Sequence, residues 1–110
     1  MKKGEIWLAD LNPVNGREQL GYRPVVIVSG NAMNENMPLS IVCPLSTRLK
    51  HFIGGIILEP DKVNGLDAPS EVLTFQIRTL AHKRFVKKIG EISKVEMTQL
   101  IKNINKILEY

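Results

Sequence analysis

Apolar positions along this chain fall first into short runs and then, near the C-terminus, into a helical stripe. Gly4 to Leu11 carries Ile6, Trp7, Leu8 and Ala9, and the following Asn12-Pro13-Val14-Asn15-Gly16 supplies turn chemistry through its Asn, Pro and Gly residues. This predicts a first strand and its exit. Pro24 to Ser29 is nearly all β-branched and too short for a typical helix, so it predicts a central strand covered on both faces. Gly30 to Pro38 breaks the pattern. Leu39 to Leu45 is a third apolar run, but Pro44 lacks an N–H donor and belongs at a strand end, an edge or a bulge, so Ser46 and Thr47 emerge where the ladder stops. Gly54 to Leu58 and Glu71 to Leu80 are two more strands, the second with a bend, separated by the turn residues of Pro60 to Ser70. Arg84 to Ile92 is a last strand candidate, in which Phe85, Ile89 and Ile92 alternate irregularly with basic residues.

From Ser93 the period changes. Ser93 and Glu96 form a Ser-x-x-Glu capping box, and Met97, Leu100, Ile101, Ile104, Ile107 and Leu108 recur at helical spacing opposite Lys94, Gln99, Lys102, Asn103 and Lys106. Several short strands closed by one amphipathic helix predict a mainly β fold: a small, partly closed antiparallel barrel with the helix on a face or at a subunit boundary. No linker, repeat or low-complexity tract divides residues 1–110, so a single domain is expected.

Composition narrows the function classes. A chain of 110 residues buries one core without metal or disulfide staples. Lys and Arg outnumber Asp and Glu 15 to 11, a surplus that permits nucleic-acid binding without requiring it. The single Cys43 has no disulfide partner within the chain and lies in an apolar run, the setting of a small buried hydrophobe rather than a nucleophile. No signal-peptide pattern opens the chain and no apolar run reaches membrane-span length, so a cytoplasmic protein without membrane association is expected. His51 and His82 are isolated and read as solvated loop side chains. No Cys, His or carboxylate cluster has metal-ligand spacing, so no metal or other cofactor is expected.

What remains is a scattered polar set. The glycine- and charge-rich stretch Gly16 to Pro24 feeds straight into the central strand, fixing Arg23 at its entrance, where a guanidinium is suited to hold an anion such as a phosphate. The competing reading of Arg23 is an ion pair with Glu18 or a bond to a backbone carbonyl. Ser46 and Thr47 read equally as turn caps at a strand end. Gln76 and Arg78, two apart, read as a polar pair on one strand face. Lys83, Arg84, Lys87 and Lys88 are the densest basic patch, and a solvated face accounts for them.

Four blocks in order across nearly the whole chain resemble the MazF, PemK and Kid toxins of bacterial toxin–antitoxin systems, which are sequence-specific endoribonucleases. They are Gly4 to Pro13, Gly16-Arg17-Glu18-Gln19 with Gly21-Tyr22-Arg23-Pro24, Val42-Cys43-Pro44-Leu45-Ser46-Thr47, and Gln76-Ile77-Arg78-Thr79-Leu80. The resemblance implies a small barrel similar to an SH3 domain with a C-terminal helix. It also implies metal-independent cleavage of single-stranded RNA, in which the ribose 2′-hydroxyl attacks the adjacent phosphorus. Arg23 matches the family's catalytic arginine, and its high pKa suits charge stabilisation or proton donation better than proton abstraction. Ser46 falls where the family usually has a catalytic threonine, with Thr47 beside it as the second hydroxyl. Glu18 matches an acidic residue near the site, which would orient Arg23 or take part in proton transfer. Phe75 stands where some members carry an aspartate, so that variant of the mechanism does not transfer. Phe75 is left to the core or to base stacking. Arg17, Gln19, Arg48, Gln76 and Arg78 are the implied RNA contacts. The implied partners are single-stranded RNA, a second copy of the chain and a cognate antitoxin competing for the RNA surface. Two rival readings are a CcdB-like toxin that poisons gyrase without hydrolysing anything, and a catalytically silent RNA-binding barrel.

Overall fold

The structure, a computed structural model, describes residues 1–12 and 21–109. Within them run β1 (Glu5–Asp10), β2 (Tyr22–Ile27), α1 (Asn31–Asn36), β3 (Leu39–Ser46), β4 (Ile56–Leu58), β5 (Ser70–Val72), β6 (Arg78–Ala81), β7 (Phe85–Glu91) and α2 (Lys94–Glu109). One-turn 3₁₀ helices at Thr74–Gln76 and His82–Arg84 precede β6 and β7. All pairings are antiparallel, in the order β4-β5-β3-β2-β1-β7, with β6 also on β3. β4 and β7 end this path without pairing to each other among the described residues, so the sheet curls into a half-barrel. The expected mainly β fold with one closing helix is the observed one.

β3 is the hinge of this architecture. One edge pairs with β2, while the other pairs first with β6, from Leu39 to Val42, and then with β5, at Leu45 and Ser46. Pro44 lies in the gap between those two partners, where its missing N–H removes no ladder bond, and its carbonyl accepts from the Leu73 N–H at 2.9 Å. Proline therefore sits inside a buried strand, at the point where that strand changes partner.

Alternation along the strands builds two apolar clusters on opposite faces. Ile6, Val26, Cys43, Leu45, Leu58 and Val72 pack with Leu100 and Ile104 of α2. On the other face Ala9, Leu11, Val25, Ile27, Val42 and Leu80 form the second cluster, against which Trp7 and Phe85 pack edge to face at 5.9 Å. The capping box of α2 is formed reciprocally: the Ser93 N–H donates to Glu96 Oε1 at 2.8 Å and the Glu96 N–H to Ser93 Oγ at 3.1 Å. Leu108, read as part of the helix stripe, is instead 71% exposed.

Gly30 to Pro38 contains α1, which has no apolar stripe because a polar residue anchors it. Buried Asn34 accepts from the Ser29 and Ser40 hydroxyls and donates to the Ser29 carbonyl. His82 is not a solvated loop side chain. It is half-buried, with Nε2 2.8 Å from Ser40 Oγ and its ring edge-on to Phe85. The bend expected in Glu71 to Leu80 is the 3₁₀ turn between β5 and β6.

Candidate active site

Strand register assembles the site. The β2–β3 pairs Val25↔Pro44, Val26↔Cys43 and Ile27↔Val42, continued by two residues, bring Arg23 opposite Ser46. Val42 is also opposite Arg78 on β6. Because side chains alternate, Arg23, Ser46 and Arg78 share the face of the second apolar cluster and stand at its rim. Pro24 biases Arg23 toward extended backbone, and Arg23 pairs there with Ala9 of β1.

Two adjoining open clefts meet at Arg23. One, of about 340 Å³, is lined by Arg23, Pro24, Leu45, Ser46, Thr47 and Arg48. The other, of about 160 Å³, is lined by Leu11, Arg23, Pro44, Gln76 and Arg78. The structure thus gathers Arg23, Ser46, Thr47, Arg48, Gln76 and Arg78 into one place from three separate stretches of sequence. Three guanidiniums border the two clefts, and no carboxylate lines either among the described residues. Such a concentration of positive charge, with Arg23 and Arg78 on strands and Arg48 on the loop after β3, suits a phosphodiester. Gln76 and Arg78 do not share a strand, since Gln76 closes the 3₁₀ turn and Arg78 opens β6. Glu18, Arg17 and Gln19 lie outside the described residues, and so does any Arg23–Glu18 ion pair.

Ser46 Oγ accepts the Arg48 N–H at 3.1 Å. The turn-capping reading is therefore realised, and it leaves the hydroxyl proton available to donate into the cleft. Thr47 and Arg48 are exposed on the loop that follows.

That loop is held by a residue that sequence reasoning treated only as strand. Glu71 of β5 is paired with Ser46 and is 1% exposed. Its Oε1 accepts from the backbone N–H groups of Lys50 at 2.8 Å and His51 at 3.0 Å, and its Oε2 from that of Phe52 at 2.7 Å. His51 has φ +56°, a left-handed backbone that lets consecutive N–H groups converge on one anion. Exposed His51 thus serves through its backbone, as a loop histidine without ring chemistry. Phe52 contacts Phe75 at 4.8 Å between ring centroids, and both rings are about half exposed, so Phe75 is not a core residue.

Arg84 was equally illegible. Read as one charge in a basic patch, it donates through Nη1 to the carbonyls of Asn12 at 2.6 Å and Asp10 at 3.2 Å. Asn12 Oδ1 in turn accepts the Gly21 N–H at 2.8 Å, and the Leu11 N–H donates to the Gly21 carbonyl at 3.2 Å. These bonds clasp the two stems of the segment that carries Arg17, Glu18 and Gln19, two residues before Arg23. Lys88 of the same patch pairs with Glu5 at 3.1 Å, so half of the patch is structural. Neither residue carries a sequence signal of its role, because each binds backbone groups far along the chain.

Burial pushes the Cys43 thiol up to about 12, leaving it neutral and inert. Among the described residues no group of three or more His, Cys, Asp or Glu side chains could hold a metal ion, and no helix is long and apolar enough to cross a membrane.

With this geometry in view, the chain can be set beside known proteins. It is similar in structure to the toxin MazF-mt6 of Mycobacterium tuberculosis, with TM-score 0.80 and 21% identity over 96% of each chain. A mycobacterial endoribonuclease in complex with its cognate antitoxin gives TM-score 0.81 and 21% identity over 98% of this chain and 94% of that one. MazF from Deinococcus radiodurans gives TM-score 0.80 and 23% identity over 100% of this chain and 97% of the other. These likenesses fix the fold. The family described as PemK-like, MazF-like toxin of type II toxin-antitoxin system matches residues 2–108. The chain therefore belongs to the PemK-like, MazF-like toxins of type II toxin–antitoxin systems.

Proposed function

We propose that this toxin is a sequence-specific endoribonuclease that cleaves single-stranded RNA without a metal ion. The observation that carries the reading is the meeting of Arg23, Arg48 and Arg78 with the Ser46 hydroxyl around clefts that no described carboxylate lines. One structural relative is named as an endoribonuclease bound to its cognate antitoxin, which supports both the activity and an antitoxin partner.

The reaction is a transesterification. The 2′-oxygen forms a bond to phosphorus as its proton is removed, the bond from phosphorus to the 5′-oxygen breaks, and that oxygen takes up a proton. The products are a 2′,3′-cyclic phosphate and a 5′-hydroxyl. Charge building on the non-bridging oxygens is met by the Arg23 guanidinium and by the Ser46 Oγ–H, with Thr47 as the second hydroxyl. A guanidinium is a poor general base, so Arg23 is assigned charge stabilisation or proton donation rather than proton abstraction. Glu18 either orients Arg23 or accepts the 2′-proton. Glu18→Gln separates the two, since it keeps an acceptor oxygen but takes up no proton. Arg17, Gln19, Arg48, Gln76 and Arg78 contact the RNA, the arginines adding affinity and salt dependence. The working form is a homodimer, and an acidic, apolar antitoxin segment orders on the basic surface as it binds.

The test is cleavage of a diverse RNA pool by folded protein in EDTA. Cuts at one short sequence, lost with Arg23→Ala, support the reading. Gyrase binding that survives Arg23→Ala without any cleavage favours the CcdB-like alternative, and salt-dependent RNA binding without products favours the silent binding module.

A further inference from the structure

Glu71 stands out as a charged side chain with almost no access to solvent. A carboxylate buried to this degree is stable only when its oxygens are fully engaged. Here the engagement comes from the backbone of a loop: the consecutive N–H groups of Lys50, His51 and Phe52, at 2.7 to 3.0 Å. The loop is shaped to this anion from both sides. His51 takes a left-handed backbone that a side-chain-bearing residue adopts at a cost. Gly55 closes the turn, with its N–H on the Phe52 carbonyl at 3.1 Å, and a Cβ at Gly55 would sit 2.8 Å from Glu71 Oε2. Any side chain there would displace the carboxylate from its place against the loop.

The same loop begins with the residues of the cleft. Ser46 is paired directly with Glu71 across β3 and β5, and its Oγ holds the Arg48 N–H. Two fixed points therefore bracket the exposed pair Thr47 and Arg48: the end of β3 on one side and the Glu71 carboxylate on the other.

We infer that Glu71 is a positioning residue for cleavage: its buried carboxylate organises the backbone of residues 50–52 and so holds Thr47 and Arg48 against Arg23 in the geometry the RNA phosphate requires. The inference rests on the nuclease reading above. Glu71 touches no substrate. Its effect is transmitted through the loop, where misplacement by about 1 Å is enough to lower turnover up to 100-fold.

Glu71→Gln is the direct test. The amide keeps one carbonyl oxygen for Lys50 and His51 but sets an NH₂ donor against the Phe52 N–H. Gly55→Ala reaches the same contact from the loop side and replaces it should Glu71→Gln fail to fold. Two readouts are taken on folded protein: amide hydrogen exchange at residues 50–52, and steady-state RNA cleavage well below the melting temperature. The expected result is lost amide protection at Lys50, His51 and Phe52, with kcat/KM down about 10- to 100-fold and both kcat and KM affected. Global circular dichroism and protection of the β2 amides stay as in the parent. Retained protection at residues 50–52 overturns the inference, and so does lost protection with unchanged cleavage kinetics, since the anchor would then be purely structural. A parent protein that cleaves nothing overturns the nuclease reading itself and takes this inference with it. A parent that cleaves as well as its Glu71→Gln variant removes only the inference.

Discussion

Two loops flank β4, and each closes around one buried polar side chain. Residues 59–66 turn about Asn64, which belongs to the loop it holds: Nδ2 donates to the Glu59 carbonyl at 2.8 Å, and Oδ1 accepts from Asp61 at 3.1 Å and Leu66 at 3.0 Å. Residues 50–52 close on Glu71, which arrives from β5 some twenty positions away and carries a charge. The first loop is self-sufficient and docks on β7, where the Glu91 N–H meets the Val63 carbonyl at 3.1 Å. The second takes its shape from an element paired with the site. A neutral amide inside its own loop sets local structure only, whereas a carboxylate borrowed from a neighbouring strand couples the loop to whatever that strand holds in register, here Ser46.

Breaking the site itself gives the largest effect. Arg23→Ala lowers cleavage by about 10²- to 10³-fold, the usual loss for one transition-state donor, with thermal stability unchanged within about 0.5 kcal/mol. Glu71→Gln comes next, as argued above, and sharpens the contrast between the loops when paired with Asn64→Ala. That second variant removes the hydrogen bonds of buried Asn64 to the Glu59, Asp61 and Leu66 backbone and lowers stability by roughly 1–3 kcal/mol in a urea titration, while cleavage per folded molecule remains at the parent level. Equal losses of cleavage from both loops would erase the distinction. Ser46→Ala has a milder effect on turnover than Arg23→Ala, because Thr47 supplies a hydroxyl next door. A Ser46→Ala, Thr47→Ala double variant as active as the parent removes both hydroxyls from the mechanism.

The smallest effect lies far from the cleft and bears on pH. Burial pushes the Glu5 carboxyl up, but the Trp7 indole N–H at 2.9 Å, the Lys2 backbone N–H at 3.0 Å and the Lys88 ammonium at 3.1 Å outweigh it and leave the pKa below its ordinary 4.5. A carboxyl depressed on folding contributes stability that is full above the unfolded-state value and is lost as pH falls through the folded one. Glu5→Gln is therefore expected to lower stability in the neutral region, where the contribution is full, and so to flatten the fall of stability as pH drops below 4.5, with cleavage untouched. An unchanged acid limb would contradict it.

Which parts of this were legible in the sequence follows from the range of the interactions involved. The strands of β1, β2 and β3 and the capped helix α2 are written in local periodicity and capping, and they appear where the pattern puts them. The gathering of Arg23, Ser46, Arg48, Gln76 and Arg78 was legible only through the ordered blocks of the family resemblance, because their proximity is a consequence of register between three strands. α1 was missed because Asn34 and two serines, rather than an apolar face, hold it. Pro44, expected at a strand end, an edge or a bulge, marks the point where β3 changes partner. Glu71 and Arg84 were missed for one reason: each makes its bonds to backbone groups, and no residue type in the sequence announces a backbone acceptor or donor waiting far along the chain.

Whether the Arg23 cleft cuts RNA is open to a single experiment. The most direct measurement incubates the purified protein and its Arg23→Ala variant, in EDTA, with a long mixed-sequence RNA and maps the ends by sequencing. Cuts at one short sequence are expected, each leaving a cyclic phosphate and a 5′-hydroxyl, and none with the variant. Folded protein that leaves the RNA intact, or a variant that cuts as the parent does, would contradict the nuclease reading.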